Sequence, residues 1–399
     1  MKILYVGHTY TVRSNQAKIV ALAKLPGVEI TLVTPQGWRG PLYVNKAEKF
    51  DSLLAANVDH RIVRAFWLGS EGAYLYSPTI FSLIRKIMPD IVHVEQGAYA
   101  LSYAQILLGL KLFSPKSRAL FFTWWNLPYR LRGLKKMAQT FNLAHSSCAI
   151  AGNEAAKLIL RNQGFTKQVN ILPQLGIDLN AYSHLPAKNV RVTKSFTIGY
   201  AGRITEEKGV LDLVKAASLM KNRNLISLYF VGAGDALDKS KSEAEKNSIP
   251  LIHHPAVRND ELPRHLSIMD VLVLPSHTTP QWVEQFGHII IEAMAAGVPV
   301  IGSSSGEIPN VIGNAGLIFS EGNTTDLAAC LDLLQNNESE RRRLIEAGRN
   351  RVEANFTNEM IAAAQMEIYE WMMLEGKSIG GTHAERGHYT IATQNHSRY

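Results

Sequence analysis

The sequence predicts an α/β protein made of two Rossmann-like domains, and three observations carry that expectation. Strand-length apolar runs alternate with helical patterns along the chain, which is the sequence form of a parallel sheet covered by helices. The alternation breaks once, at the mixed polar stretch 181–196 that carries Pro186, and then starts again. At 399 residues the chain is also too long for one ordinary core.

The elements follow in order. In the first half, Ile3–Val6, Glu29–Val33, Ile91–Val94, Ala119–Thr123 and Ser147–Ala151 are rich in β-branched and aromatic residues and read as strands. Gln16–Leu25 and Ser77–Ile87 read as helices. The apolar run Ala98–Leu110 reads as a packed helix, because crossing a bilayer needs about 20 residues. Pro173 to Asp178 closes this half with a turn. In the second half, Thr197–Tyr200, Ser227–Val231, Val271–Leu274 and Val298–Ile301 read as strands, and Gly209–Met220, Asp260–Ile268, Gly287–Ala296 and Asp326–Gln335 as helices. No fixed-period repeat suggests a solenoid. The expected division is therefore a domain 1–180, a linker 181–196, a domain 197–357, a final helix 358–374 and a disordered tail 375–399 rich in Gly, His, Thr and Ser.

Composition narrows the class. A hydrophobic content of 46% against 19% charged describes a globular protein able to bury a large interior. Cys148 and Cys330 stand alone without a CxxC pair, which excludes a disulfide framework or a cysteine-built zinc site and fits a reducing cytoplasm. The first apolar run, Ile3–Val6, is shorter than the core of a secretory signal and reads as a buried strand. The net charge of +8 is uneven: residues 1–180 hold 21 Lys+Arg against 9 Asp+Glu, giving +12, and residues 181–399 hold 21 against 25, giving −4. A basic first half expects an anionic partner or a membrane surface; an ordinary solvated basic face is the plainer reading.

Two clusters carry chemistry. Gly199-Tyr200-Ala201-Gly202-Arg203-Ile204-Thr205-Glu206-Glu207-Lys208-Gly209 is a strand ending in small residues, a charged loop and a helix start. Arg203 can fork onto phosphate oxygens and Lys208 can add a point charge near a helix N-terminus, so the cluster reads as a diphosphate grip or, plainly, as a surface loop with Glu/Lys pairs. The second cluster, Glu284-Gln285-Phe286-Gly287-His288-Ile289-Ile290-Ile291-Glu292, sets two glutamates eight apart, with Glu292 expected two turns into a helix on an apolar face. A carboxylate buried there needs a hydrogen-bonding partner, and a ribose diol supplies two donors. Glu284, with the N–H groups of Phe286 and Gly287, can hold sugar hydroxyls. A capped helix with one incidental acid is the alternative.

The stretch from Ile198 to Tyr369 resembles the donor domain of the family 4 glycosyltransferases, retaining enzymes of GT-B architecture. The resemblance rests on Gly202-Arg203…Lys208-Gly209, Val231-Gly232-x-Gly234, Asp270-Val271-x-Val273-x-Pro275-Ser276, the two spaced glutamates, Gly306-Glu307-Ile308 and Gly313-Asn314-Ala315-Gly316-Leu317. The first half is similar to the family's acceptor domain through Pro89-Asp90-Ile91-Val92-His93 and Leu172-Pro173-Gln174-Leu175-Gly176-Ile177-Asp178. The resemblance implies two Rossmann-like domains facing across a cleft, with the last helix crossing back to the first domain and closure on donor binding. It implies metal-free transfer of a sugar from a UDP- or GDP-sugar to a saccharide or lipid-linked acceptor, with retention, in polysaccharide or glycoconjugate biosynthesis. Arg203, Lys208 and Glu284 would be catalytic. Gly7, Gly202, Val257, Arg258, Phe286, Gly287, His288 and Glu292 would bind the donor. No cofactor, metal or nucleic acid is implied, and no DxD motif occurs.

Two departures stand out. Gly7 is followed by His8-Thr9-Tyr10 rather than a second glycine, and Thr123 by Trp124-Trp125-Asn126 where many members carry a histidine. His93 reads as a satisfied core histidine. Trp124, Trp125, Asn126 and Arg130 open a segment, 124–136, of interleaved aromatic and basic residues. It suits a bilayer interface, a sugar platform, or a core strand end followed by a basic helix. A peripheral position at the inner face of the cell membrane follows from the first of these. A nucleotide-sugar epimerase and a catalytically silent sugar-binding subunit are the competing functions, and the Arg/Lys grip with both glutamates favours the transferase.

Overall fold

In the computed structural model, which describes residues 1–40, 44–50, 55–185 and 195–375, the chain forms two compact units. Met1–Gly176 with the last helix makes the first, and Ile177–Thr357 the second. The first unit thus ends four residues before position 180. Ile177 N–H donates to Phe356 O at 2.7 Å and Ile177 bridges Thr357, so the chain has already joined the second unit there. Residues 186–194 of the expected linker and 376–399 of the expected tail lie outside the described residues.

The first unit holds a seven-stranded sheet of β1 (Lys2–Val6), β2 (Glu29–Pro35), β3 (Val58–Val63), β4 (Ile91–Val94), β5 (Arg118–Thr123), β6 (Cys148–Ala151) and β7 (Val169–Ile171). Its order is β7-β6-β5-β4-β1-β2-β3, parallel throughout. All four residues of β4 and of β6 are buried, as expected of a sheet covered on both faces. Helices α1 (Ala17–Ala23), α2 (Thr79–Ile87), α3 (Leu101–Phe113), α4 (Gly133–His145) and α5 (Glu154–Asn162) link the strands. The apolar run at 98–110 is the start of α3, displaced three residues along the chain.

The second unit repeats the plan. A six-stranded parallel sheet of β8 (Phe196–Ala201), β9 (Ile226–Val231), β10 (Leu251–His254), β11 (Val271–Leu274), β12 (Val300–Ser303) and β13 (Leu317–Phe319) runs β10-β9-β8-β11-β12-β13. Around it lie α6 (Val210–Leu219), α7 (Leu237–Lys246), α8 (Leu262–Ile268), α9 (His288–Ala295), α10 (Ile308–Ile312), α11 (Thr324–Asn336) and α12 (Glu338–Asn355). The expected strand at 298–301 lies two residues further on, because Gly297 (φ +70) ends α9 and Pro299 cannot donate to a ladder. In each unit the strand order reverses beside the first strand, between β1 and β4 and between β8 and β11. Ligands of open α/β sheets sit outside the carboxyl ends of strands at such reversals.

The last helix, α13 (Asn358–Glu375), packs on α1 and buries Ile361, Ala364, Ile368, Tyr369 and Met372 in the first unit's core. This burial decides its place, since α13 follows the second unit's last helix in sequence yet shares a core cluster with Ile3, Tyr5 and Ile150 of the first unit. Ile361→Ala should cost about 2–5 kcal/mol, as for other fully buried aliphatic truncations. Leu374→Ala, on the exposed side, should stay within about 0.5 kcal/mol. Urea denaturation of both variants checks the contrast.

Candidate active site

The second unit's site grows from the loops after β8, β11 and β12. β8 ends at Ala201, and Gly202 turns the chain with φ 146°. Glu206–Lys208 form one 3-10 turn, and Gly209 enters α6 at φ 67°; a Cβ there would lie 1.9 Å from the Pro275 carbonyl oxygen. Only glycine lets the β8 and β11 loops approach this closely. Arg203 is about half exposed (49%) and pairs with Glu207 at 3.5 Å. Lys208 is tucked in, and its Nζ donates to Glu284 Oε2 at 2.7 Å.

Glu284 is buried and joins the loops. Its Oε2 also accepts from Ser276 Oγ at 2.9 Å, directly after β11. The Lys208 ammonium lies 4.4 Å from the centre of the Trp282 ring, a cation–π contact that holds the charge beside Glu284. Sequence spacing alone expected neither Ser276 nor Trp282 here. The only available signals were a hydroxyl immediately past a buried strand and an aromatic two residues before the glutamate.

Gly287 precedes α9 with φ 81°, and His288 is the helix's first residue. The His288 ring lies tilted against buried Phe286, with centres 4.7 Å apart, and burial lowers its pKa to about 4, against a smaller opposing pull from Glu284. Glu292 is the fifth residue of α9, just over one turn in rather than two, because the helix begins only at His288. Burial raises its carboxyl to about 7. It has no side-chain hydrogen bond among the described residues, and the nearby Tyr182 phenol is pushed up by burial and then by Glu292. Val257 and Arg258 sit after β10; Arg258 is exposed, with its guanidinium on Asp260 at 3.0 and 3.2 Å. Among the described residues no three His, Cys, Asp or Glu side chains gather as metal ligands.

In the first unit, Gly7 follows β1 in an extended conformation, with its N–H on Val33 O at 3.1 Å. The space of its missing side chain is taken by the Tyr10 ring, 3.1 Å from where a Cβ would be. Trp124 is not a free platform. Its indole N–H donates to Gln174 Oε1 at 2.8 Å, and its ring lies so close to Gly152 that a Cβ there would overlap it. Trp125 is the exposed ring (39%), edge-on to Tyr99 and Tyr129, with Asn126 half-buried and Arg130 exposed beside it.

Sequence reasoning passed over the residue that organises this end. Glu95 follows β4 at the strand reversal and is fully buried. It accepts from Lys18 Nζ at 2.5 Å, Tyr10 OH at 2.7 Å, Tyr5 OH and Gln174 Nε2 at 2.6 Å. These donors hold its carboxyl below the usual range against the opposing effect of burial. Gln174 then carries the connection on to Trp124. His93 Nδ1 bonds Tyr369 OH at 2.7 Å, and burial drops its pKa to about 3, as for a neutral core histidine.

The chain is similar to known proteins in sequence and in fold. Residues 183–351 match the family model of glycosyl transferases group 1. The capsular polysaccharide biosynthesis glycosyltransferase CapM of Staphylococcus aureus is 31% identical over 193 residues, 46% of this chain and 48% of CapM. A GDP-mannose-dependent alpha-(1-6)-phosphatidylinositol monomannoside mannosyltransferase of Mycobacterium tuberculosis is 26% identical over 75% of this chain and 78% of its own. The chain spans about half the length of the first curated relatives it matches. Anabaena HepE, solved in complex with UDP and glucose, superposes with a TM-score of 0.66 at 16% identity, over 93% of this chain and 100% of HepE. That likeness shows the shared two-unit α/β fold of GT-B type.

Glu292 makes a pH-dependent prediction. A carboxyl raised from 4.5 to about 7 is harder to ionise folded than unfolded. The resulting penalty is absent below the unfolded value, builds as pH rises to about 7, and is constant above. Glu292→Gln should therefore raise Tm at about pH 8 and much less at about pH 4.5. Thermal denaturation at both values checks it, and equal increments would show that burial does not hold the proton.

Proposed function

We propose, from the match of residues 183–351 to glycosyl transferases group 1, that the chain transfers a sugar from a nucleotide-sugar donor. One observation carries the reading. Glu292 is a half-buried carboxyl, raised to about 7 by its surroundings, with no side-chain hydrogen bond among the described residues, in the same helix-and-loop cluster as the Lys208–Glu284 pair. A protein seldom keeps such a group unless a ligand supplies the partner. A ribose diol donates two hydrogen bonds to Glu292 and favours its ionised form.

Lys208 and Arg203 neutralise the diphosphate as it leaves, which stabilises charge that grows in the transition state. Both cations rest on glutamates, so phosphate oxygens take over from Glu207 and share Lys208 with Glu284. Glu284, Phe286, Gly287 and His288 hold the donor sugar; His288, kept neutral by burial, keeps one ring nitrogen as an acceptor. Gly202 gives phosphate access to the backbone, and the chain at Val257 and Arg258 borders the base. Gly7 belongs to the acceptor unit, as do Trp125, Asn126 and Arg130, whose ring and polar groups suit a saccharide or lipid-linked acceptor. The acceptor hydroxyl attacks from the face the diphosphate leaves, giving retention. Superposition on HepE, solved with UDP and glucose, supports UDP-sugars as the first donors to try.

UDP or GDP at about 100 times its Kd should stabilise the fold by roughly 2.7 kcal/mol, and Glu292→Gln should remove most of that. Calorimetric melting with UDP, GDP and ADP reads it; no shift with any nucleoside diphosphate removes the donor site. Arg203→Ala and Lys208→Ala should each lower transfer, or acceptor-free hydrolysis of radiolabelled UDP-sugar, by about tenfold or more. Near-normal turnover in a folded variant removes the diphosphate grip. Turnover should persist in EDTA, since two side-chain cations meet the leaving group; loss in EDTA restored by Mg²⁺ contradicts that mechanism.

A further inference from the structure

We propose that the outer face of α2, α3 and α4 docks the protein on an anionic membrane surface. The three helices lie side by side on one face of the first sheet, α3 packing on both α2 and α4. Their inner sides are consumed by the core: Ile80 and Ile84, then Ile106, Leu107 and Leu110, then Leu143. The outward positions ought by ordinary patterning to be polar. Instead Leu108 (47%), Leu112 (63%), Leu134 (70%) and Met137 (68%) stand exposed.

Charge completes the pattern. The helices contain no Asp or Glu, and carry Arg85, Lys86, Lys111, Lys135 and Lys136. None of these five cations has a salt bridge among the described residues. Between Pro78 and Ser147 the acids are Asp90, which accepts from Lys2 N–H, and Glu95, which is buried. Lys111 lies 5.4 Å from the centre of the Phe141 ring, so the exposed sides of α3 and α4 join. Apolar side chains flanked by unopposed cations match a bilayer surface that offers acyl chains below and negative headgroups above. A protein partner would leave those cations to be matched by a dedicated acidic surface; a second copy of this face would set cation on cation. The occupant is therefore anionic lipid. No described helix is long and apolar enough to cross a membrane, so the contact is interfacial. It does not depend on the transferase reading.

The test is sedimentation of the full chain with vesicles of phosphatidylcholine alone or mixed with phosphatidylglycerol. The chain should pellet with phosphatidylglycerol vesicles at low salt, not with phosphatidylcholine, and be released at high salt. Each cation removed should weaken partitioning roughly fivefold, so Lys135→Gln/Lys136→Gln loses about 25-fold. Leu134→Glu/Met137→Glu should abolish pelleting while Leu225→Glu, an exposed leucine of the second unit, leaves it unchanged. All three sites are exposed, so unchanged Tm values certify the folds. Equal pelleting with both vesicles, pelleting with neither, or full binding by the two double variants overturns the proposal. So does a dimer in sedimentation equilibrium that Leu134→Glu dissolves, which assigns the face to a second copy.

Discussion

The carboxylate of Glu284 is the tie on which the second unit's loops depend. Through Oε2 it takes Lys208 from the loop after β8 and Ser276 from the loop after β11. Through its backbone oxygen it takes the N–H of Glu307, after β12, at 3.2 Å. Gly306 approaches so closely that a Cβ would sit 2.2 Å from that same oxygen. Parallel strands end in independent loops, and nothing in a sheet ladder fixes how those loops stand to one another. One residue does: its buried carboxylate ties the loop after β8 to its own loop after β11, and its backbone oxygen takes the loop after β12. Removing it would strand the Lys208 ammonium on Trp282 with its desolvation uncompensated, so the pairing specifies geometry whatever its net stability.

The first unit solves the same problem with a different residue. Glu95 occupies the corresponding reversal of strand order and gathers Lys18 from α1, Tyr5 from β1, Tyr10 and Gln174. Its donors are more numerous and its burial deeper than those of Glu284, which leaves it no capacity for a ligand. Glu292 is the opposite case, a half-buried acid with no side-chain hydrogen bond among the described residues. Of the three carboxylates, Glu95 and Glu284 tie loops together through their side chains, and Glu292 makes no such tie among the described residues.

What could be read in the sequence follows the strength of each local signal. β4 and β11 were legible to the residue because they are short all-apolar runs buried on both faces. β3, Val-Asp-His-Arg-Ile-Val, was missed: at the sheet edge only its first and last residues are buried, and its charged middle reads as loop. β7 and β13 have three residues each, too few for a period. α12 hid for another reason, since Arg341, Leu344, Gly348 and Val352 are its whole buried stripe in an otherwise charged 18-residue helix. Within the site, Arg203, Lys208, Glu284 and Glu292 were legible because their order along the chain resembles a family pattern. The 76-residue separation of Lys208 from Glu284 was not, because an ion pair between loops leaves no local trace. Glu95 escaped for the same reason, two residues from a histidine that drew attention instead.

The uneven charge noted at the outset acquires a physical meaning from the ion pairs. In the second unit, several exposed cations are opposed locally: Arg203 by Glu207, Lys239 by Glu206, Arg258 by Asp260, Arg342 by Glu338 and Arg343 by Glu340. Such pairs add little stability, but they flatten the surface potential. The first unit does the reverse on α2, α3 and α4, where acids are absent and cations accumulate. A diffuse positive field discriminates poorly between small anions but acts strongly on an extended negative surface, where many weak contacts add. The two charge patterns thus differ in range: locally paired charges over much of one unit, and an unopposed positive helix face on the other.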